Sequence, residues 1–279
     1  MISVVGVGTA AINIVEHFSQ YSQYKVYKIG DVKKTTKTEF RWIPEIPVPE
    51  KIEENMPDLR EFFKGIDNEV YFFLEGSGLS ANAALGILEQ IKDKNLHVFY
   101  LKPETELLTS IQKLQNNAIY SIMQEYARSG LFGSFSIINN FEYDKILGQI
   151  PIAEYWLRVN QSIVTTLHMI NVFRFSDPTI GKINDVPDIS RLATYGTISI
   201  ENFEEKLFFP LDNVRQKRYY FGINEKRLKT DDSLYSKIVE SMRDKTEDGD
   251  IDVSYGIYST NYDHDLAYCE CYTHVLQKT

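Results

Sequence analysis

The chain has 279 residues, of which 43% are hydrophobic and 25% charged, and its formal net charge is −9. This is the composition of a globular protein with enough residues for one large domain or two small ones. The acidic excess argues against direct binding to duplex nucleic acid, which needs a basic face, whereas a single nucleotide needs only a local site. No apolar run reaches the ~20 residues of a membrane-spanning helix and no signal peptide is recognised, so we expect a cytoplasmic protein without membrane insertion.

The first half of the chain alternates predicted strands with predicted helices. Strands are predicted at 2–5, 24–28, 70–74, 96–101 and 135–138, and helices at 10–18, 58–63, 80–92 and 107–129. A basic and proline-rich segment at 31–50 is predicted to be irregular. The alternation predicts an α/β domain on a mostly parallel sheet, in which a ligand binds beyond the carboxyl ends of the strands.

One long helix is predicted at 152–175, between Pro151 and Pro178. Proline is tolerated in the first turn of a helix and soon after its end, so this pair brackets the segment. Apolar side chains fall on nearly every face, as they do in a helix buried inside a protein. The helix would be roughly 36 Å long and would join two domains.

The second half of the chain is richer in predicted strands. Strands are predicted at 197–200, 219–223, 251–258 and 267–275, with one strong helix at 233–242. Cys269 and Cys271 lie two residues apart on one predicted strand, which is a poor geometry for a disulfide, so we expect reduced thiols. The sequence thus predicts an α/β domain at 1–150, a central helix at 151–178 and a smaller α+β domain at 179–279.

Two short glycine turns each connect a predicted strand to a predicted helix, one at Gly6-Val7-Gly8-Thr9 and one at Gly76-Ser77-Gly78. Glycine lets backbone N–H groups approach an anion, and the helix N-terminus adds partial positive charge. A tight turn without any ligand would need the same residues. Two such turns at one sheet edge could hold an anion between them, although Glu75 would repel it unless a cation intervened.

A dinucleotide-binding enzyme is an alternative interpretation of the first turn. That motif requires a third glycine, where this chain has Ala11, and an acidic residue after the second strand, where Asp31 is available. A nicotinamide-dependent oxidoreductase therefore stays an alternative.

Amide side chains and one tryptophan are candidates for recognising a base. Asn140, or its neighbour Asn139, ends a predicted strand, and Asn160 lies near the start of the central helix. Amides donate and accept hydrogen bonds at once, as a purine edge requires. Trp156 lies one helical turn before Asn160 on the same face, where it could stack on the base. The alternative is a core tryptophan beside a surface asparagine.

A polar loop at 181–189 follows the far end of the central helix. It is predicted to enter a further helix with Pro187 in the first turn. Asp185 and Asp188 would either cap that helix or form a pair of carboxylates that polarises water or holds a cation. The histidines show no metal-ligand spacing, so no metal site built from protein side chains alone is expected.

Taken in order, these motifs resemble the tubulin/FtsZ superfamily. Residues 6–15 resemble the first loop of that family and place Asn13 on its asparagine. Residues 74–80 resemble its glycine-rich signature loop, and Lys102-Pro103 is a pair that FtsZ-like proteins often have.

The later motifs continue the resemblance. Asn140 falls on the family's guanine-reading asparagine, and Trp156 and Asn160 repeat its aromatic and amide spacing at the start of the central helix. Residues 183–189 are similar to the loop that completes the site of the next subunit, shortened by one residue.

The resemblance implies a GTP-binding domain at 1–150, GTP or GDP with Mg²⁺ as cofactors, and a filament in which subunits assemble head to tail. Hydrolysis would be completed in trans by Asp188, with Asp185 as the reserve candidate. It further implies a DNA-segregation or virion cargo adaptor as a candidate partner, in a bacterial or phage-infected host cytoplasm. The nucleotide-binding residues it implies are Gly6, Gly8, Thr9, Asn13, Gly76, Ser77, Gly78, Asn140, Trp156 and Asn160.

The chain also departs from the family pattern. Its signature loop keeps only Gly76 and Gly78 and gains Glu75, and the proline-rich segment replaces the loop expected around the γ-phosphate. Glu104 and Glu106 are candidates for binding the ribose. These departures favour, as the alternative, a tubulin-like interaction or scaffold protein that has lost GTP turnover.

Overall fold

The computed structural model describes residues 1–43, 49–139, 146–247 and 250–278. The strands are β1 (Ile2–Val7), β2 (Tyr24–Gly30), β3 (Glu39–Arg41), β4 (Glu69–Glu75), β5 (Asn95–Lys102), β6 (Ser134–Asn139), β7 (Ile180–Lys182), β8 (Leu192–Ile198), β9 (Glu205–Leu207), β10 (Gln216–Asn224), β11 (Asp252–Thr260) and β12 (Leu266–Thr273). The α-helices are α1 (Thr9–Glu16), α2 (Pro49–Glu54), α3 (Ala84–Glu89), α4 (Ser110–Arg128), α5 (Tyr155–Arg174), α6 (Glu225–Thr230) and α7 (Leu234–Glu247).

The first half of the chain forms a parallel sheet. Its strands lie in the order β3-β2-β1-β4-β5-β6, and every neighbouring pair is parallel. The interior of β4 is a continuous apolar run because helices cover both faces of a parallel sheet. The predicted mostly parallel α/β sheet is confirmed.

Two predicted helices of this half are wrong in place or extent. Residues 58–59 are irregular and residues 60–65 form turns, and α2 lies earlier, at Pro49–Glu54. The Asp58 carboxylate accepts hydrogen bonds from the backbone and side chain of Arg60, which offers the backbone an alternative to the helix. The helix predicted at 80–92 is a 3₁₀ turn, Leu79–Ala83, followed by the short α3. Serine and asparagine within that turn are poor helix formers.

The second half continues the same sheet, because β6 pairs in parallel with β8 through Phe135 with Leu192 and Ser136 with Ala193. Strand β12 lies antiparallel between β8 and β10, and β11 pairs in parallel with β10. This mixed arrangement, with α6 and α7, confirms the α+β character of the second half. The division of the chain at 150 and 178 stays a prediction.

The strand predicted at 197–200 lies instead at Leu192–Ile198. Its end is set by Ser199, whose hydroxyl accepts hydrogen bonds from the backbone N–H groups of Glu201 and Asn202. Such a serine turn withdraws the backbone from the strand ladder.

Helix α5 packs against both halves of the sheet. Its buried residues, among them Ile163, Leu167 and Phe173, share one apolar cluster with Phe73 and Phe99 of the first half. The same cluster includes Tyr220, Tyr258 and Tyr268 of the second half. Asn171 accepts a hydrogen bond from the Tyr71 hydroxyl at 2.8 Å and donates one to Tyr24 at 3.1 Å. The predicted central helix is thus found, with its first turn more exposed than expected.

The two cysteines of the last strand form no disulfide. Cys269 and Cys271 are free and buried, and the neighbouring Cys271 together with burial raises the pKa of the Cys269 thiol. Among the helices that the structure describes, none combines the length and the apolar character needed to cross a membrane.

Candidate functional site

A cleft of about 460 Å³ opens at the carboxyl ends of β4 and β5, beside the start of α1 and the first turns of α5. Its lining includes residues from four separate segments of the chain. Five of the predicted nucleotide-binding residues line it: Thr9, Asn13, Ser77, Trp156 and Asn160. A cleft of this size, with few polar groups on mostly apolar walls, is typical of a small-molecule site.

The N-terminus of α1 supplies backbone donors to this cleft. Thr9 and Ala10 line it, and no described side chain caps the helix or places an acid in its first turn. The first N–H groups of a helix have no intrahelical partner and carry partial positive charge. This end of the cleft is therefore suited to an anion such as a phosphate.

Trp156 and Asn160 stand one turn apart near the start of α5 and both line the cleft. Trp156 is 56% exposed, so it is not the core residue of the alternative interpretation. Its indole offers an open aromatic face, and Asn160 offers an amide beside it. Asn13 of α1 adds a second amide to the same cleft. An aromatic face with two amides suits a planar, hydrogen-bonding base.

The predicted glycines do not line the cleft among the described residues, and two of them serve packing. A Cβ atom on Gly6 would lie 2.6 Å from Cγ2 of Val15, so glycine lets β1 approach α1. A Cβ atom on Gly76 would overlap the Tyr100 hydroxyl, which donates a hydrogen bond to Asn116. Gly8 has φ +89° just before α1, a conformation that favours glycine. Asn140 lies outside the described residues.

The charges around the cleft are mixed. Glu75 ends β4, and its Oε1 lies 3.5 Å from the Ser77 hydroxyl. Glu104 also lines the cleft, whereas Glu106 does not. Lys102 is the cation among the described lining residues; burial lowers its pKa, and its Nζ lies 5.0 Å from the centre of the Phe209 ring. A phosphate here would meet two carboxylates, which a divalent cation would offset.

Sequence reasoning missed the apolar part of the wall. Leu101, Leu107 and Leu108 complete the lining on the side of β5. The one signal that could have indicated them is their place at the end of the predicted strand 96–101 and at the start of the helix that follows it, because the carboxyl ends of parallel strands meet at one edge.

The loop with Asp185 and Asp188 lies at the other end of α5. Both aspartates line a second cavity of about 430 Å³ that also contains Arg174, the last residue of that helix. The 20 residues of α5 span about 30 Å at 1.5 Å per residue. The aspartates therefore cannot reach the first cleft of their own molecule.

The predicted helix after Asp185 does not form, so the capping role is wrong for both aspartates. Residues 183–191 contain only an isolated turn, because the Gln216 amide holds the Asp185 carbonyl at 2.9 Å and keeps the loop extended. The Asp188 side chain is 99% exposed, with Oδ1 3.6 Å from Arg191. Among the described residues, no group of acids, histidines or cysteines could hold a metal ion by itself.

No protein-family model matches the chain, and no curated protein matches it significantly. Solved structures do match it. An FtsZ dimer from M. jannaschii aligns with 97% of this chain and 87% of its own, at 13% identity and a TM-score of 0.67. A GTPγS-form protofilament of TubZ from Bacillus thuringiensis serovar israelensis aligns with 98% and 86%, at 13% identity and a TM-score of 0.71. The chain has a tubulin/FtsZ-like fold.

A GDP-bound CetZ1 monomer from Haloferax volcanii has a similar structure. It aligns with 98% of this chain and 94% of its own, at 12% identity and a TM-score of 0.71. The tubulin/FtsZ-like fold thus extends over nearly the whole chain, and the resemblance inferred from its motifs is confirmed at the level of the fold.

Proposed function

We propose that this protein binds a guanine nucleotide in the cleft beside α1 and α5, and assembles head to tail into filaments. We further propose that Asp188 completes GTP hydrolysis in the neighbouring subunit. The observation that carries the proposal is the placement of the cleft and of the aspartate loop at opposite ends of α5.

The composition of the cleft supports a nucleotide. The base would stack on Trp156 and pair with the amides of Asn160 and Asn13, which line the same cleft. The phosphates would lie against the N-terminus of α1 and the turn that contains Ser77. Mg²⁺ bound with the nucleotide would neutralise phosphate charge that Glu75 and Glu104 otherwise repel.

The separation of the two sites supports assembly. A contact between one end of a subunit and the opposite end of the next is heterologous and does not close on itself, so it generates a filament. The similar TubZ structure is itself a protofilament. In such a filament the loop at 183–191 would lie against the nucleotide cleft of the adjacent subunit.

The chemistry proposed for the loop is the positioning of water. An exposed carboxylate at Asp188 accepts a hydrogen bond from a water molecule and orients it toward the terminal phosphorus. The water oxygen forms a bond to the terminal phosphorus while the bond from that phosphorus to the leaving diphosphate oxygen breaks, and the water proton passes to an oxygen of the released phosphate. Asp185, also exposed on this loop, is the reserve candidate.

A tubulin-like scaffold without GTP turnover is the second candidate. The acidic residues Glu75 and Glu104 in the cleft favour it, since they weaken phosphate binding. It predicts self-association or partner binding that does not depend on GTP.

The change of Asp188 to Ala tests the catalytic part of the proposal. We expect GTP binding by the monomer to stay unchanged, while turnover per subunit in filaments falls by about a hundredfold, the scale of lost positioning and acid–base effects. Filaments should persist longer in pelleting and light-scattering assays.

Asp263→Ala, in an exposed loop outside both sites, is the matched control and should behave as the wild type. Equal turnover in the Asp188 and Asp263 variants would remove Asp188 from the mechanism. Wild-type protein without GTP turnover or pelletable polymer would favour the scaffold.

A further inference from the structure

The second cavity has a cationic interior that the proposed hydrolysis does not use. It lies between the amino ends of β4, β5 and β6 and the strands of the second half, under the loop at 183–191. Arg174 of α5 and Arg218 of β10 line it. Arg218 is only 7% exposed, so its charge is buried in the cavity wall.

One buried carboxylate faces these two guanidinium groups. Glu270 of β12 is fully buried; it pairs with Arg174, accepts a hydrogen bond from the Tyr220 hydroxyl at 2.7 Å, and lies 3.6 Å from Arg218. Burial alone would raise the pKa of Glu270, but the two guanidinium groups outweigh it, so its pKa lies below the ordinary value. Glu270 is therefore ionised and offsets only one of the two positive charges.

The two guanidinium groups also keep unused donors. Nε of Arg174 and Nε of Arg218 are buried and have no hydrogen-bond partner among the described residues. A buried donor without a partner is destabilising, and native proteins rarely leave one in that state. The pairing with Glu270 therefore leaves part of the donor capacity of both guanidinium groups unused.

The other acidic groups around the cavity do not balance the remaining charge. Glu69 accepts hydrogen bonds from Asn95 and lies 3.4 Å from His97. Asp185 and Asp188 belong to the covering loop and are exposed to solvent, and Asp188 lies closest to the cation of Arg191. The interior thus keeps a net positive charge while the rim is mixed.

We propose that this cavity binds a small oxyanion, a phosphate or carboxylate group, between Arg174 and Arg218. Guanidinium groups hold such oxygens through paired N–H donors. Tyr71, Tyr195 and Tyr272 line the remaining walls and leave room for a small molecule that carries the group. Because Tyr71 belongs to the first half of the sheet and Arg218 to the second, a bound oxyanion would tie the two halves together.

Thermal unfolding of the full chain, with inorganic phosphate and succinate as separate probes, tests this site. Chloride at matched ionic strength is the reference, because screening alone would act equally with any anion. We expect phosphate or succinate to raise the melting temperature of the wild type beyond chloride, and the probe with the larger effect identifies the group. Equal effects of all three anions would overturn the proposal.

Arg218→Met is the main variant. It keeps the Arg174–Glu270 pair, so no buried carboxylate is left alone, and it should weaken binding of the active probe at least tenfold. Gly78→Val alters the turn at the nucleotide cleft, about 30 Å away along α5, and should keep the full effect in this second cavity. If the anion no longer raised the melting temperature of Gly78→Val but still raised that of Arg218→Met, the anion would bind in the nucleotide cleft, and the proposal would be overturned.

Two variants of Val186 test the proposal even if Arg218→Met does not fold. Val186 lies in the covering loop and lines the cavity. Val186→Asp adds a negative charge at the mouth of the cavity and should weaken binding of the anion. Val186→Asn introduces an uncharged side chain of the same size and should keep most of that binding. Equal binding by these two variants would contradict an anion inside the cavity. Nucleotide binding does not enter this comparison, so the outcome is independent of the proposed GTPase.

Discussion

Asn160 is the residue on which the proposed choice of base depends most directly. It lines the cleft one turn from Trp156, where its amide can pair with a purine edge. Asn160→Ala should leave the base without this partner and cost about 1–3 kcal/mol of GTP binding. Titration calorimetry should show a larger loss for GTP than for ATP.

Asn261→Ala, in an exposed loop outside the cleft, is the control and should change neither affinity. Equal losses for GTP and ATP in the Asn160 variant would mean that this amide does not read the base.

His168 predicts a pH dependence of stability. It is buried in the middle of α5, stacked on Tyr21 at 3.6 Å between ring centres, and its Nδ1 lies 3.2 Å from the Tyr24 hydroxyl. Burial lowers its pKa below the ordinary value of 6.5, so the unfolded chain binds the proton more readily. The free energy of unfolding should therefore fall as the pH drops below 6.5, by at most about 1.4 kcal/mol per pH unit from this group.

Denaturant unfolding between pH 7 and pH 5 measures this effect. His168→Gln should flatten the decline, whereas His264→Gln, at an exposed loop position, should keep it. The same decline in all three proteins would show that other groups cause it.

At the scale of the elements, the two glycines of the turn after β4 have different expected roles, Gly76 in packing and Gly78 in nucleotide binding. Gly76→Ala should destabilise the fold by about 1–3 kcal/mol, because the added methyl group overlaps the Tyr100 hydroxyl. Gly78 has φ −76° and ψ 153°, which other residues adopt freely, so Gly78→Val should stay folded. If the proposed nucleotide site is right, its branched side chain should instead abolish the thermal stabilisation by GTP, because it would stand where the backbone of this turn is proposed to approach the phosphates.

Thermal unfolding with and without GTP distinguishes the two roles. A Gly78→Val protein with unchanged GTP stabilisation would remove this turn from the nucleotide site. A fully stable Gly76→Ala protein would show that the Tyr100 side chain can move away from the added methyl group at no cost.

At the scale of the whole molecule, the distance between the two sites predicts complementation. The Asp188→Ala protein keeps an intact nucleotide cleft but lacks the carboxylate that acts on its neighbour. The Gly78→Val protein keeps that carboxylate but is expected to bind no nucleotide. Mixing the two proteins should restore GTP turnover in those contacts where Asp188 of one subunit meets the intact cleft of the other. Phosphate release from the mixture should exceed the sum of the separate proteins. Simple addition of the two rates would contradict catalysis in trans.

Local patterns along the chain determined the main elements of this protein. The alternation of apolar runs and glycine turns predicted the parallel sheet, and two prolines predicted the limits of α5 to within a few residues. Trp156 and Asn160 were placed on one helix face by their spacing, and the structure puts both in the cleft. These features depend on residues that are only a few positions apart in the chain, so the periodic spacing of residue types is enough to predict them.

Long-range contacts decided the rest. Gly6 and Gly76 suggested a phosphate site by their sequence, but their close neighbours, Val15 and Tyr100, explain their glycine identity by packing. Arg174, Arg218 and Glu270 come from three separate elements and carry no common motif, so only the pairing of β10 with β12 and the end of α5 bring them together. A sequence records the order of residues along the chain, whereas the burial of a charge or the contact of a glycine depends on segments that meet only after folding.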